Sequence, residues 1–274
     1  MKLSTATSVF VNYAIEDALE EIIRAGFDGV DIWCGRPHLY RQDYPPAALQ
    51  ALRRRLAHSH LAPVSFLPAF FRYPFSLSSP KEVIRQESIS YMRDTIDNAC
   101  ALGAEYVLVV PSGNLHGQSI PESRAWFVDS LAQVCRYAET QEMKLGIEVV
   151  YPALSGYMNT TAQAREVIRE IDSPSLGIVL DAGHINLSGE DMEGAIRSAG
   201  DLLFQVHVND NDGVHQQNNI PGEGCFDFER LIRLLHANHF DGYLTLEIGW
   251  QYSFDPIPAV MRSLEQMRKV TAIS

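Results

Sequence analysis

The chain holds four cysteines, Cys34, Cys100, Cys135 and Cys225, and no two of them share a CxxC spacing. Without such pairs there is no sign of a thiolate zinc site or a disulfide framework, and the four read as free thiols in a reducing compartment. No stretch comes near the ~18 consecutive apolar residues that a membrane helix needs. The opening run, MKLSTATSVFVNYAIEDALEE, has one lysine, an interrupted apolar segment and an early acidic helix, which makes a poor signal peptide. A cytoplasmic protein without a membrane partner is the expectation. Positive charge is in deficit, with 22 Lys and Arg against 34 Asp and Glu and a formal net charge of -12. That balance repels phosphate backbones, so no nucleic-acid partner is expected. Glycine is also missing where a dinucleotide-binding sheet would place its phosphate loop, because residues 5–13 contain none.

What is present is alternation. Apolar residues make up 46% of the 274, enough for a large core. Short β-branched runs at 3–9, 29–33, 63–68, 106–111, 146–150, 176–181, 204–208 and 243–248 predict eight strands. Segments with helical spacing lie between them, at 15–25, 46–59, 80–102, 121–141, 162–171, 192–198, 226–238 and 256–270. Prolines open the second segment, as suits a first turn, and Ser78 and Ser79 are candidate caps for the third. The runs AGFDG (25–29) and NHFDG (238–242) repeat one helix-to-strand signal before the second and eighth strands. Eight strand–helix units predict an α/β fold, a single closed (β/α)8 barrel forming one domain over 1–274. The longest irregular stretches, 34–44, 70–79 and 210–225, all follow strands, where barrel sites are built.

Four strand ends carry the chemistry. Strand five ends at Glu148, strand six at Asp181, strand seven at His207 and strand eight at Glu247. In a parallel barrel these ends open on one face, so the four side chains converge. Three carboxylates and one imidazole suit one hard or borderline divalent ion: Mn²⁺ first, then Mg²⁺, Co²⁺ or Zn²⁺. Three acids meeting without a cation would repel one another. Taken singly, each residue reads first as a cap, an ion-pair partner or a satisfied core polar group, and the case rests on four consecutive strands at matching depth.

The runs GFDGVDIWCGRPH (26–38), IPGEG (220–224) and GYLTLE (242–247), with the pair Asp181 and His184, resemble the sugar phosphate isomerase/epimerase superfamily of xylose isomerase-like TIM barrels. Within it the likeness is to the fructoselysine 3-epimerases and ketose 3-epimerases, and it covers nearly the whole chain. The resemblance implies a metal-dependent isomerase of carbohydrate metabolism that epimerises carbon three of a ketose or ketose derivative through an enediolate. It places the metal on Glu148, Asp181, His207 and Glu247, proton exchange on Glu148 and Glu247, and substrate oxygens on His184. A small carbohydrate is the implied partner, with a homo-oligomer a further possibility. Hydroxypyruvate-type isomerisation, and a metal-dependent lyase or dehydratase acting on a keto sugar or keto acid, remain the alternatives. A non-catalytic sugar-binding barrel is a third reading, which the complete quartet disfavours.

The sequence also departs from that pattern. Leu154 stands where ketose 3-epimerases carry another acid, and the loop NDNDGVH (209–215) has no arginine. Endonuclease IV, a nuclease of the same superfamily, needs extra histidines, but Gln216 and Asn218 occupy those positions. No phosphate-binding cluster of Arg and Lys is evident, which favours an unphosphorylated or amine-modified sugar. Trp33, Arg36, His116 and Glu223 are further candidates for substrate contact; Trp33 reads equally well as a plug of the barrel top, whereas His116 reads first as a solvated loop residue and Glu223 first as part of a rigid turn. Phe66, Phe70, Phe71, Tyr73 and Phe75 form an aromatic stretch expected to pack under a loop.

Overall fold

The computed structural model describes residues 1–70 and 75–272. Phe71 and Tyr73 of the aromatic stretch lie outside the described residues. Strand and helix alternate as β1 (Lys2–Ala6), α1 (Ile15–Ala25), β2 (Gly29–Trp33), α2 (Pro46–His58), β3 (Ala62–Leu67), α3 (Glu82–Leu102), β4 (Tyr106–Val109), α4 (Ile120–Thr140), β5 (Lys144–Glu148), α5 (Thr161–Ile171) and β6 (Leu176–Asp181). They continue as α6 (Ala182–Ser188), α7 (Met192–Ala199), β7 (Leu203–Val208), α8 (Phe228–Ala237), β8 (Tyr243–Leu246) and α9 (Pro256–Ala272). The eight strands pair in parallel, each with the next, and β1 closes on β8. This is a (β/α)8 TIM barrel.

Amphipathic spacing places the helices. In α1 the buried residues are Ile15, Ala18, Leu19 and Ile22, one stripe of a 3.6-residue period. The helix stops at Gly26, whose φ of 81° is the left-handed region that a side chain resists. In α8 the same stripe is Phe228, Leu231, Ile232 and Leu235, and Asp227 caps its start by accepting from Arg230 N at 2.8 Å. Ser79 does not cap α3. Its hydroxyl accepts from Lys81 N before the helix begins, and Lys81 is the capping position.

Two expectations need correction. The first strand ends at Ala6, and Thr7–Phe10 turn into a buried 3-10 helix, because burial alone does not distinguish the two conformations. A ninth α-helix, α6, follows β6. It is only seven residues long, includes the weak formers Gly183, Asn186 and Ser188, and is held by its caps rather than by propensity.

The barrel interior is polar midway along its axis. Gln205 on β7 bonds Asp31 on β2 at 3.0 Å, and these strands are not neighbours, so the bond crosses the lumen. The register sets the depth of the chemistry: Asp181 pairs directly with His207 across β6 and β7. Glu247 sits one residue beyond β8, its N–H on Val208 O at 3.1 Å.

Candidate metal centre

Glu148, Asp181, His207 and Glu247 meet at the C-terminal mouth of the barrel. Each offers a donor atom, and the four atoms lie within 4.8 Å of one another. His207 is the centre of the group. Its Nδ1 stands 3.0 Å from Glu148 Oε1 and 3.0 Å from Glu247 Oε2, while Nε2 points the other way, into the barrel. Asp181 is fixed twice. One carboxylate oxygen accepts from His184 N at 2.7 Å and so caps α6, and the other accepts from Asn209 Nδ2 at 2.7 Å. The Asp181-x-x-His184 spacing is thus an N-cap and its third helical residue. Gly183, between them, leaves room for Asn209: a Cβ there would come within 2.0 Å of Asn209 Oδ1, so the amide that holds Asp181 would have to shift.

The electrostatics are those of a cation site. Burial pushes the carboxyls of Glu148 and Asp181 above their ordinary range; nearby His207 and His184 oppose this, and the Glu247 charge adds to it. Burial also disfavours charge on His207, but the Glu247 charge and the nearby carboxylates of Asp31, Glu148 and Glu247 win, and the imidazole is held well above its usual value. Glu247, whose side chain is 27% exposed, goes the other way, because its pairing with His207 outweighs its desolvation. Three acids therefore share one proton-bearing ring, and no Lys or Arg lines the cavity among the described residues. A divalent ion would replace that proton and neutralise the acids, so the donor set fits.

Above the quartet opens a cavity of 430 Å³, in the range of about 300–1,000 Å³ that drug-sized ligands fill. One wall is apolar, with Leu67, Leu108, Val110, Leu154 and Ile248. Trp33 and Trp250 form a corner, ring centroids 6.5 Å apart at 63°. Gln216, Gln217, Asn218 and Gln251 supply a neutral amide rim. His184 lines the cavity, its ring stacked on Tyr151 at 5.5 Å, and Tyr151 Oη in turn donates to Gln216.

Of the nine candidate residues, six are brought together: Glu148, Asp181, His207, Glu247, His184 and Trp33. The other three are not. Arg36 turns outward to a paired contact with Asp43 and lies over the Tyr40 ring. His116 is exposed on the loop after β4. Glu223 pairs with Arg262 of α9. Its turn is wrapped around Asp210, which accepts from the N–H groups of Gly222, Gly224 and Phe226. Sequence reasoning missed Asn209, Tyr151 and Trp250. It also passed over Asp31, although an acid between Val30 and Ile32 of an apolar strand is a visible anomaly.

Comparison with known proteins agrees with the fold. Residues 19–270 match the model of the xylose isomerase-like TIM barrel family. The chain is 27% identical over 271 residues to fructoselysine 3-epimerase of Shigella flexneri, covering 98% of this chain and 97% of that one. It superposes on 3-keto-D-glucoside 4-epimerase from E. coli with a TM-score of 0.83 at 22% identity, over 98% of this chain and 99% of the other. A third structure, an IOLI protein binding a zinc atom, gives a TM-score of 0.83 at 22% identity, over 99% and 98% of the two chains.

Proposed function

The chain belongs to the xylose isomerase-like TIM barrel family, and we propose that it is an epimerase using one divalent cation to invert carbon three of an unphosphorylated ketose or ketose derivative. The observation that carries this is the quartet, four donor atoms within 4.8 Å on the floor of a sugar-sized or larger cavity. Mn²⁺ is the proposed metal, held by Glu148, Asp181, His207 and Glu247. When bound, it supplies Lewis-acid polarisation of the substrate carbonyl and its neighbouring hydroxyl.

The side chains do the rest. Glu148 reaches the cluster from the end of β5 and Glu247 from just beyond β8, each with a carboxylate oxygen 3.0 Å from His207 Nδ1. A carboxylate on one side can remove the proton next to a carbonyl, and its counterpart can return a proton to the opposite face, inverting the centre. His184, immobilised against Tyr151, is placed to donate to a substrate oxygen. The apolar wall and the two indoles keep water from the carbanionic carbon and pack on the apolar face of a sugar. Leu154 extends that wall where ketose 3-epimerases carry an acid. With amides and no cation around the rim among the described residues, a phosphate monoester finds no charged partner on that part of the wall, which supports a neutral or amine-bearing sugar.

A screen of ketoses and sugar amines with Mn²⁺ in D₂O tests this reading. One deuteron at a single carbon, in a product otherwise equal in mass to the substrate, is expected. Loss of mass would mean elimination instead, and deuterium at the neighbouring carbon would mean aldose–ketose isomerisation.

A further inference from the structure

A fully buried carboxylate, Asp31, lies directly beneath the metal centre on β2. Its Oδ2 stands 3.5 Å from His207 Nε2. That nitrogen has no hydrogen-bond partner within normal geometry, although it is buried. The carboxylate itself is gripped from four strands. Ser65 Oγ of β3 donates to Oδ2 at 2.6 Å, Gln205 Nε2 of β7 and Thr245 Oγ1 of β8 to Oδ1 at 3.0 and 3.1 Å, and Ser4 Oγ of β1 reaches Oδ1 at 3.4 Å.

A buried carboxylate is costly, and an apolar residue of similar volume is often no worse for stability. Ser4, Thr245 and Gln205 also bond one another, so part of that polar layer holds together without the carboxylate. What Asp31 offers is a carboxylate acceptor 3.5 Å from the otherwise unpartnered Nε2 of His207. A metal-binding histidine commonly gives its second N–H to a carboxylate, which fixes the tautomer and the ring plane.

We propose that Asp31 is a positioning residue of the metal centre, accepting the Nε2–H of His207 so that the lone pair of Nδ1 faces the cation. This rests on the metal reading of the quartet. The four-strand grip gives the carboxylate one orientation, so the ring above it has one plane. Nδ1 then lies between the two glutamates before any cation arrives, which lowers the cost of organising the site.

The test is Mn²⁺ binding measured calorimetrically on the intact protein and on Asp31→Asn, alongside thermal unfolding of both metal-free proteins. The expected result is a fall in affinity of about 10–100-fold with no matching loss of metal-free stability. A purely structural role would lower stability and leave the affinity of the folded fraction unchanged; that result overturns the proposal. Nitrogen-15 spectra of the histidines in Zn²⁺-loaded wild-type protein decide the matter even if Asp31→Asn does not fold. A His207 proton on Nε2 supports the assignment, and a proton on Nδ1 overturns it. Wild-type protein that binds no divalent ion at all would overturn the proposed function as well, whereas equal binding by wild type and Asp31→Asn would remove only the role of Asp31.

Discussion

At the scale of single residues, what decides the chemistry is which side chains the backbone aims at one point. Glu148, Asp181, His207 and Glu247 were legible because each polar residue lies at or within one residue of the end of an apolar strand, and a parallel barrel brings strand ends together. Arg36, His116 and Glu223 are the same kinds of residue on loops, where the direction of a side chain depends on distant partners. Glu223 is turned away by Arg262, a residue 39 positions later. No local pattern carries that information. Asp31 was written in the sequence as a charge inside an apolar strand, but its meaning depends on Ser65, Gln205 and Thr245, which only the closed barrel assembles. Two substitutions probe this scale. Glu148→Gln and Glu247→Gln are each expected to reduce substrate deuterium exchange by about 10²–10⁴-fold, the span of general acid–base contributions. Normal exchange by either variant would contradict the two-carboxylate scheme.

At the scale of elements, β2 and β6 match their sequence-predicted bounds, because buried β-branched runs bounded by Gly or a capping residue leave little choice. Helix α6 was invisible to the same reasoning, since its stability comes from Asp181 at one end and Gly189, with φ 64°, at the other. The cap of that helix is also one of the four clustered donors, so one side chain serves both the short helix and the candidate site. The loop between β7 and α8 follows a similar logic. Asp210, fully buried, accepts from Asn211, Gly222, Gly224 and Phe226 N–H groups and folds the 210–226 segment around itself. Asp210→Ala leaves buried donors unpaired, at a cost of about 1–3 kcal/mol. A lower urea midpoint and faster proteolytic cleavage within the loop are expected; an unchanged midpoint would mean that water replaces the carboxylate without loss.

At the scale of the whole molecule, the buried quartet makes folding stability depend on pH in a definite direction. Glu148 and Asp181 have folded pKa values above their unfolded values near 4, so the metal-free fold holds protons there that the unfolded chain releases. Their contribution is complete below that pH and is lost as pH rises. His207 behaves alike, with its contribution complete below about pH 6.5 and lost as pH climbs through its raised folded value. Glu247, lowered instead, contributes above its unfolded pKa and loses that contribution only in acid. Metal-free protein is therefore expected to weaken as pH rises towards and beyond neutrality. A divalent ion selects the deprotonated forms of all four. The gain in Tm on adding Mn²⁺ should thus be larger at pH 7.5 than at pH 5.5, and a gain that is constant or falls with pH would contradict the picture.

Anomalous diffraction from crystals grown with Mn²⁺ tests the shared cation most directly. A single strong peak is expected among Glu148, Asp181, His207 and Glu247, coordinated on the imidazole side by Nδ1. No peak there under saturating Mn²⁺, or a peak touching only one of the four, would leave the proposed chemistry without its centre.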